Sequence, residues 1–415
     1  MNSSALTEIK DEVHMMLLDG LGPNLYEDNL EVTTLQDRVY EVTTQVMQSK
    51  EIVMTAYDRA RLVQEVVDEV LGLGPIQSLL RNDQITEIMV NRFDSIYVEQ
   101  DGLIQASPLT FSSEDHLRRT IERIVANVGR RIDESSPLVD ARLPDGSRVN
   151  AVVPPIALDG AVLTIRKFSP EPFTMEDLIA MGTFTDESAA FLQSCVEARL
   201  NILISGGTGS GKTTTLNVLS SFIPDNERVI TVEDAAELQL AQPHVVRMES
   251  RPINIEGKGL ITIRDLVRNA LRMRPDRIVV GEVRDGAALD MLQAMNTGHE
   301  GSLTTIHANS AKDALVRIEN LVLMAGVEFP LRVIREQISE AIDIIIHQSR
   351  LRDGSRKVTG ISEVTGIDVD SIQLQDVFTF SSNSNTSEPK LKSSGLPLVK
   401  RHKFAIRNVE IPRGF

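Results

Sequence analysis

Tryptophan is absent from these 415 residues, aromatic residues make up only 4%, and there is a single cysteine. One cysteine forms no internal disulfide and no multi-cysteine zinc site. Cys195, set in FLQSCVEARL, therefore reads as a small core residue of a protein kept in a reducing compartment. No stretch approaches the roughly 18 apolar residues that span a bilayer. The opening residues MNSSALTEIKDEVHMMLL lack the basic start and apolar centre of a secretory leader. The expectation is a soluble, cytoplasmic protein. Positive charge is also scarce: 43 Lys and Arg stand against 59 Asp and Glu, a formal net charge of −16. Such a field disfavours nucleic acid as the main partner, so stable nucleic acid binding is not expected.

What is present divides into segments, since a chain this long exceeds what one core usually supports. Residues 1–60 are polar and acidic, interrupted by Gly-Leu-Gly-Pro at 20–23, and predict a small helical region. Residues 61–167 predict an α+β domain. LVQEVVDEVLGLG has helical spacing and ends at Gly72 and Gly74, while ITEIMVN, SIYVEQDGLIQA, VNAVVPP and GAVLTIRKF read as strands. Ser113 opens SSEDHLRRTIERIVANVGR as a helix N-cap. Two prolines make 168–174 a stiff linker. Over 175–380 the short apolar runs NILIS, RVITVED, DRIVVGE, SLTTIH and IDIIIH alternate with helical segments, the pattern of a doubly wound, largely parallel sheet covered on both faces. Residues 381–415 read as a flexible basic tail: SSNSNTSEPKLKSSG is too polar to bury, and the strand-like FAIRNVEI follows it.

The run ISGGTGSGKTTT supplies the chemistry. Gly206, Gly211, Lys212 and Thr213 fit G-x-x-x-x-G-K-[ST], placed between a strand candidate and a helical segment. In such a loop the backbone N–H groups of Gly206, Gly207, Thr208, Gly209, Ser210, Gly211 and the first helical residues through Thr214 turn toward phosphate oxygens, aided by the helix N-terminus. Lys212 reaches the β- and γ-phosphates of ATP, and the Thr213 hydroxyl binds Mg²⁺. Phosphoryl transfer further needs carboxylates to manage the metal and the attacking water. Glu282 follows the strand run DRIVVG where a Walker B acid would stand, and Glu233, Asp234 and Glu237 follow RVIT. His299 and His307 flank SLTTI; their spacing suits no zinc site, whereas a histidine at a strand end suits a γ-phosphate sensor.

These segments resemble, in order, the Walker A, Asp box, Walker B and His box of the type II/IV secretion ATPases: GGTGSGKTT, ITVEDAAE, RPDRIVVGEVRD and TGHEGSLTTIHAN. Upstream, LGLGPIQSLL, ITEIMVN, IYVEQDG and DARLPDGSRVNAVVPP resemble the CpaF branch, which serves Tad/Flp pilus assembly. The resemblance covers roughly Leu62 to Asp368. It implies an α/β fold, a RecA-like P-loop NTPase domain preceded by a smaller α+β N-terminal domain. It further implies a homo-hexameric ring held to an inner-membrane platform through partner proteins at the cytoplasmic face. On this resemblance Glu237 is the catalytic glutamate, Glu282 the Walker B glutamate, and His299 and His307 the His-box pair. Arg142, Arg148 and Arg166 are candidates to complete the nucleotide site from the N-terminal domain. No four-cysteine module is present, so no metal beyond Mg²⁺ is expected. Two other functions fit less well: a DNA-transfer ATPase, against which the net charge speaks, and a nucleotide-gated assembly protein with little turnover, against which the intact Lys212, Glu237 and Glu282 speak.

Overall fold

The computed structural model describes residues 32–50, 55–70, 72–168, 172–253, 258–381, 390–412 and 414–415, with positions 12, 13 and 16. The break expected at 20–23 and the linker residues 169–171 lie outside the described residues. The chain divides into two compact units, Met1–Ser169 and Pro170–Phe415.

In the first unit, helices α1 (Val32–Ser49) and α2 (Ala56–Val70) pack on each other. Their apolar positions Val39, Val42, Val46 and Leu62, Val66, Val67 recur at helical spacing and are buried. A short α3 (Ile76–Leu80) follows, and Arg81 just after it clamps Asp68 of α2 through two hydrogen bonds of 2.9 and 2.7 Å. Six antiparallel strands form one sheet in the order β3-β2-β1-β6-β5-β4. These are β1 (Ile85–Arg92), β2 (Ser95–Gln100), β3 (Leu103–Ala106), β4 (Leu138–Arg142), β5 (Arg148–Val152) and β6 (Val162–Arg166). One face buries Ile88, Val90, Val149, Ala151, Leu163 and Ile165 in a core shared with Leu117, Ile121 and Ile124 of α4 (Glu114–Ala126), whose N-cap is Ser113. Strand β4 had no clear signal in the sequence because it contributes a single buried side chain, Val139. Across β4, β5 and β6, Arg142 is the register partner of Arg148, and Arg148 of Arg166. Directly paired residues project to the same face, so the three arginines form one row on the face opposite the core.

The second unit is a nine-stranded sheet in the order β15-β14-β13-β12-β7-β11-β10-β8-β9. Six strands run parallel: β7 (Ile202–Gly206), β8 (Val229–Glu233), β9 (Val245–Glu249), β10 (Arg277–Val280), β11 (Leu303–His307) and β12 (Ile344–Arg350). Strands β7, β8 and β10 are buried along their whole length, as apolar runs without alternation require. Two clusters of buried side chains, one including Phe191, Leu216 and Ile204 and the other Val267, Leu292 and Ile318, fill the space between sheet and helices. Cys195 lies buried in the first.

The reading of 381–415 as a flexible basic tail is corrected from residue 390 onward; 382–389 lie outside the described residues. β15 (Lys390–Ser393) pairs with β14 (Ser371–Ser381), which pairs in turn with β13 (Arg356–Asp368). FAIRNVEI, expected as a strand, gives its first half, Phe404–Arg407, to helix α12 (Arg401–Arg407). Leu391, Leu398, Phe404 and Phe415 are buried, and the Phe415 ring sits 4.9 Å from Phe191 and 5.2 Å from Phe378. The basic residues mislead because two of them are internal partners. Lys400 and Lys403 approach the fully buried Asp343 carboxylate at 2.7 and 2.8 Å. The backbone N–H groups of Val399 and Lys400 likewise donate to the buried Glu363 at 2.9 and 2.7 Å. Replacing Lys400 and Lys403 together by Ala leaves Asp343 with the Asn201 N–H at 2.9 Å. Stranding a buried charge costs about 3–5 kcal/mol, so urea unfolding is expected to show a loss of that order; a loss within about 0.5 kcal/mol would mean the segment is only apposed.

Candidate functional site

β7 delivers the chain to Gly206, and helix α7 (Lys212–Ser220) begins at the lysine of the motif. Between them the backbone turns back through Gly209 at φ 68° and Gly211 at φ 95°, conformations that glycine adopts without penalty. A methyl group on Gly206 would lie 2.3 Å from the Gln348 carbonyl oxygen, so the neighbouring strand, and not only the ligand, dictates that glycine. Gly207 faces open space. Gln348 also accepts from Thr215 Oγ1 at 2.8 Å, and the Arg356 Nε–H donates to the Gly209 carbonyl at 3.0 Å. Neither residue was visible as a site residue in the sequence: Gln348 reaches the loop because β12 pairs with β7, Gln348 opposite Gly206, and Arg356 because β13 pairs in turn with β12, each about 140 residues away in the chain.

Four parallel strands that are neighbours in space each end in a polar residue at this edge. Lys212 follows β7, His307 ends β11, Glu282 follows β10 and Asp234 follows β8. Lys212 is buried to 7% exposure, with Nζ donating to Gly207 O at 2.8 Å and lying 3.5 Å from His307 Nδ1. His307 Nε2 is 3.1 Å from one Glu282 oxygen. The other accepts from Arg284, whose second amino group donates to Asp234, both at 2.8 Å. Burial, then the Lys212 charge, lower the His307 pKa from its ordinary 6.5, with Glu282 acting in the opposite direction. The imidazole is thus neutral at pH 7. With Lys212 only a donor, the network assigns Nδ1 as acceptor and Nε2–H as donor to Glu282. The result is a relay of charges running from the phosphate loop to the Asp box.

Glu237 sits on the turn after β8, its backbone N–H donating to Glu233 at 2.7 Å. Thr213 and Thr214 occupy the first turn of α7, directly after the loop. His299 is not brought to this edge. It precedes β11, and about 13 Å of strand (~3.3 Å per residue) separate the two ends. There its backbone is tied to Ala294 and Ser302, beside a loop held by Asn201. The spacing that paired it with His307 in the sequence is the length of the strand between them. Arg142, Arg148 and Arg166 lie in the first unit, in the row already described.

The family profile described as "Type II/IV secretion system protein" matches residues 69–387. A protein of Mycobacterium tuberculosis (strain ATCC 25618 / H37Rv) that bears the name "Putative conjugal transfer protein" is 39% identical over 300 residues, covering 71% of this chain and 85% of the relative. The type IV secretion system protein VirB11 of Bartonella quintana is 34% identical over 343 residues, covering 72% and 94%. Among solved structures, the ATPase DotB of Legionella pneumophila matches with 24% identity and a TM-score of 0.50 over 68% of this chain and 77% of that one, a likeness of fold.

The geometry generates two expectations. Lys212→Ala removes the charge inside the loop and is expected to weaken nucleotide binding at least tenfold, read by titration of a fluorescent ADP; unchanged affinity would take the loop out of ligand binding. For His307, the neutral form is complete above the unfolded value of 6.5 and is lost as pH falls through the lower folded value. Turnover should therefore be flat from pH 7 to 8 and decline only below 6.5. A decline that begins at pH 7 would show His307 to be charged in the resting site.

Proposed function

The chain belongs to the type II/IV secretion system protein family, and within it we propose a motor that hydrolyses ATP and couples the hydrolysis to moving subunits or substrates through a secretion or pilus-assembly machine. The observation that carries this reading is the convergence of Lys212, His307 and Glu282 on the ends of adjacent strands beside a phosphate loop. A lysine for the β/γ-phosphates, a neutral histidine able to report the γ-phosphate and a carboxylate next to it are what phosphoryl transfer asks of a protein.

Glu282 and the Thr213 hydroxyl offer the hard oxygen ligands that suit Mg²⁺, which when bound neutralises charge on the β- and γ-phosphate oxygens. Lys212 exchanges Gly207 O for phosphate oxygen, and Glu237 orients the attacking water as general base. A row of Arg142, Arg148 and Arg166 on one sheet face is suited to meet spread negative charge. We assign that row to the nucleotide site of a neighbouring subunit in a homo-hexameric ring, closed by head-to-tail contacts. The upstream motifs favour the CpaF branch and a Tad/Flp pilus, with the motor at the cytoplasmic face of the inner membrane and bound there through platform proteins. No helix among the described residues is long and apolar enough to cross a membrane.

A second reading is conjugal DNA transfer, favoured by the relative from M. tuberculosis that carries that name. The two are separated by the partner: a DNA-transfer motor is stimulated by DNA in a salt-dependent way, whereas the pilus reading expects no stimulation. Mg²⁺-dependent ATP hydrolysis by the purified chain, reduced at least a hundredfold by Glu237→Gln with binding retained, tests the catalytic assignment. Mixing Arg148→Ala with Lys212→Ala protein is expected to restore part of the activity if arginine acts across a junction. If neither Arg142→Ala nor Arg148→Ala lowers turnover, the shared-site ring is wrong.

A further inference from the structure

Glu233 ends β8, yet nothing in the catalytic assignment uses it. Its side chain is 2% exposed, a costly place for a carboxylate. One oxygen, Oε2, accepts two backbone N–H groups, those of Glu237 at 2.7 Å and Leu238 at 2.9 Å. The other, Oε1, is buried without a hydrogen-bond partner among the described residues. The stem packs against the next strand end: a methyl on Gly281 would lie 3.1 Å from Glu233 Cγ, so the backbone that presents Glu282 runs directly over it.

The turn between Glu233 and Leu238 is also held from outside, by Glu249, Ser250 and Arg284. Two of its members, Ala235 and Ala236, carry only methyl groups, and the Ala236 N–H is held from β9 by Glu249 at 3.0 Å. Asp234 is tied outward to Arg284 and to Ser250 Oγ. Leu238 is fully buried and anchors the far end. At the residue proposed as base, the backbone N–H of Glu237 itself is held by Glu233.

We infer that Glu233 is a positioning residue: its carboxylate, gripping the backbone of Glu237 and Leu238 from beneath while its stem supports Gly281, sets the Glu237 side chain in register with Glu282. This rests on the proposed hydrolytic reading. Two features of the site agree with it. A cap for a turn at a solvent-exposed strand end needs only a short hydroxyl or amide side chain, whereas this one reaches back along five residues from below. Burial also pushes the Glu233 carboxyl above the usual range, with the two N–H bonds acting against it, a state that a group free to face the ligand and solvent would avoid.

The test uses the full chain with ATP and Mg²⁺, measuring kcat and KM, and titrating a fluorescent ADP and a non-hydrolysable ATP analogue. A displacement of about 1 Å in a catalytic group costs on the order of a hundredfold in rate. Glu233→Ala is therefore expected to lower kcat about a hundredfold, with both nucleotide affinities within about threefold of the parent. Glu233→Gln, whose amide oxygen accepts the same two N–H groups, is expected to retain most of the rate. Combining Glu233→Ala with Glu237→Gln should add little to the loss from Glu237→Gln alone, because both remove one function. Should Glu233→Ala fail to fold, Glu233→Asp, one methylene too short to reach the turn, is read against Glu233→Gln in its place. Parental kcat in Glu233→Ala, loss of affinity in place of rate, or losses that multiply in the double variant overturn the inference. Failure of Glu237→Gln to lose turnover removes the base assignment and the inference with it. If Glu237→Gln is inactive but Glu233→Ala is not, only the inference falls.

Discussion

Parallel pairing of β7 with β11 places Gly206 opposite His307, and the site depends on that register. β7 is buried along its whole length and β11 along all but its last residue, so the pairing that sets this register lies inside the core. From it follow the 3.5 Å approach of Lys212 to His307 and, through β10, the 3.1 Å approach of His307 to Glu282. Residues separated by about 25 and 95 positions meet because strand ends in an open α/β sheet share one edge.

In this structure each cation of the relay is matched internally. Lys212 rests on a loop carbonyl, and Arg284 spans Glu282 and Asp234. A polyanion entering the loop offers Lys212 a full opposite charge in place of a carbonyl dipole, and so a stronger partner. Release of Lys212 then leaves His307 and Glu282 to reorganise. Binding at one end is thereby linked to the Asp box at the other through contacts already present, and the motor reading needs a link of this kind.

Much of the second unit was legible in the sequence because its signals are local. The glycine-lysine loop and the five apolar runs each depend on residues within about ten positions of one another, as does the Ser113 cap in the first unit. The first unit's sheet was legible in part, with β4 missed for want of apolar side chains. What stayed hidden is long-range. Gln348 and Arg356 act on the loop across strand pairing, Lys400 and Lys403 neutralise a buried Asp343, and Glu233 looked like one more acid at a strand end. His299 and His307, read in the sequence as flanking a strand, lie at the two ends of β11, so only His307 stands beside the loop.

The most direct measurement is a crystal structure of the chain with Mg²⁺ and a non-hydrolysable ATP analogue. The account predicts Lys212 Nζ withdrawn from the Gly207 carbonyl and within about 3 Å of β- and γ-phosphate oxygens, with His307 turned from Lys212 toward the γ-phosphate. A complex in which Lys212 still donates to Gly207 and His307 still bridges Lys212 and Glu282 would contradict it.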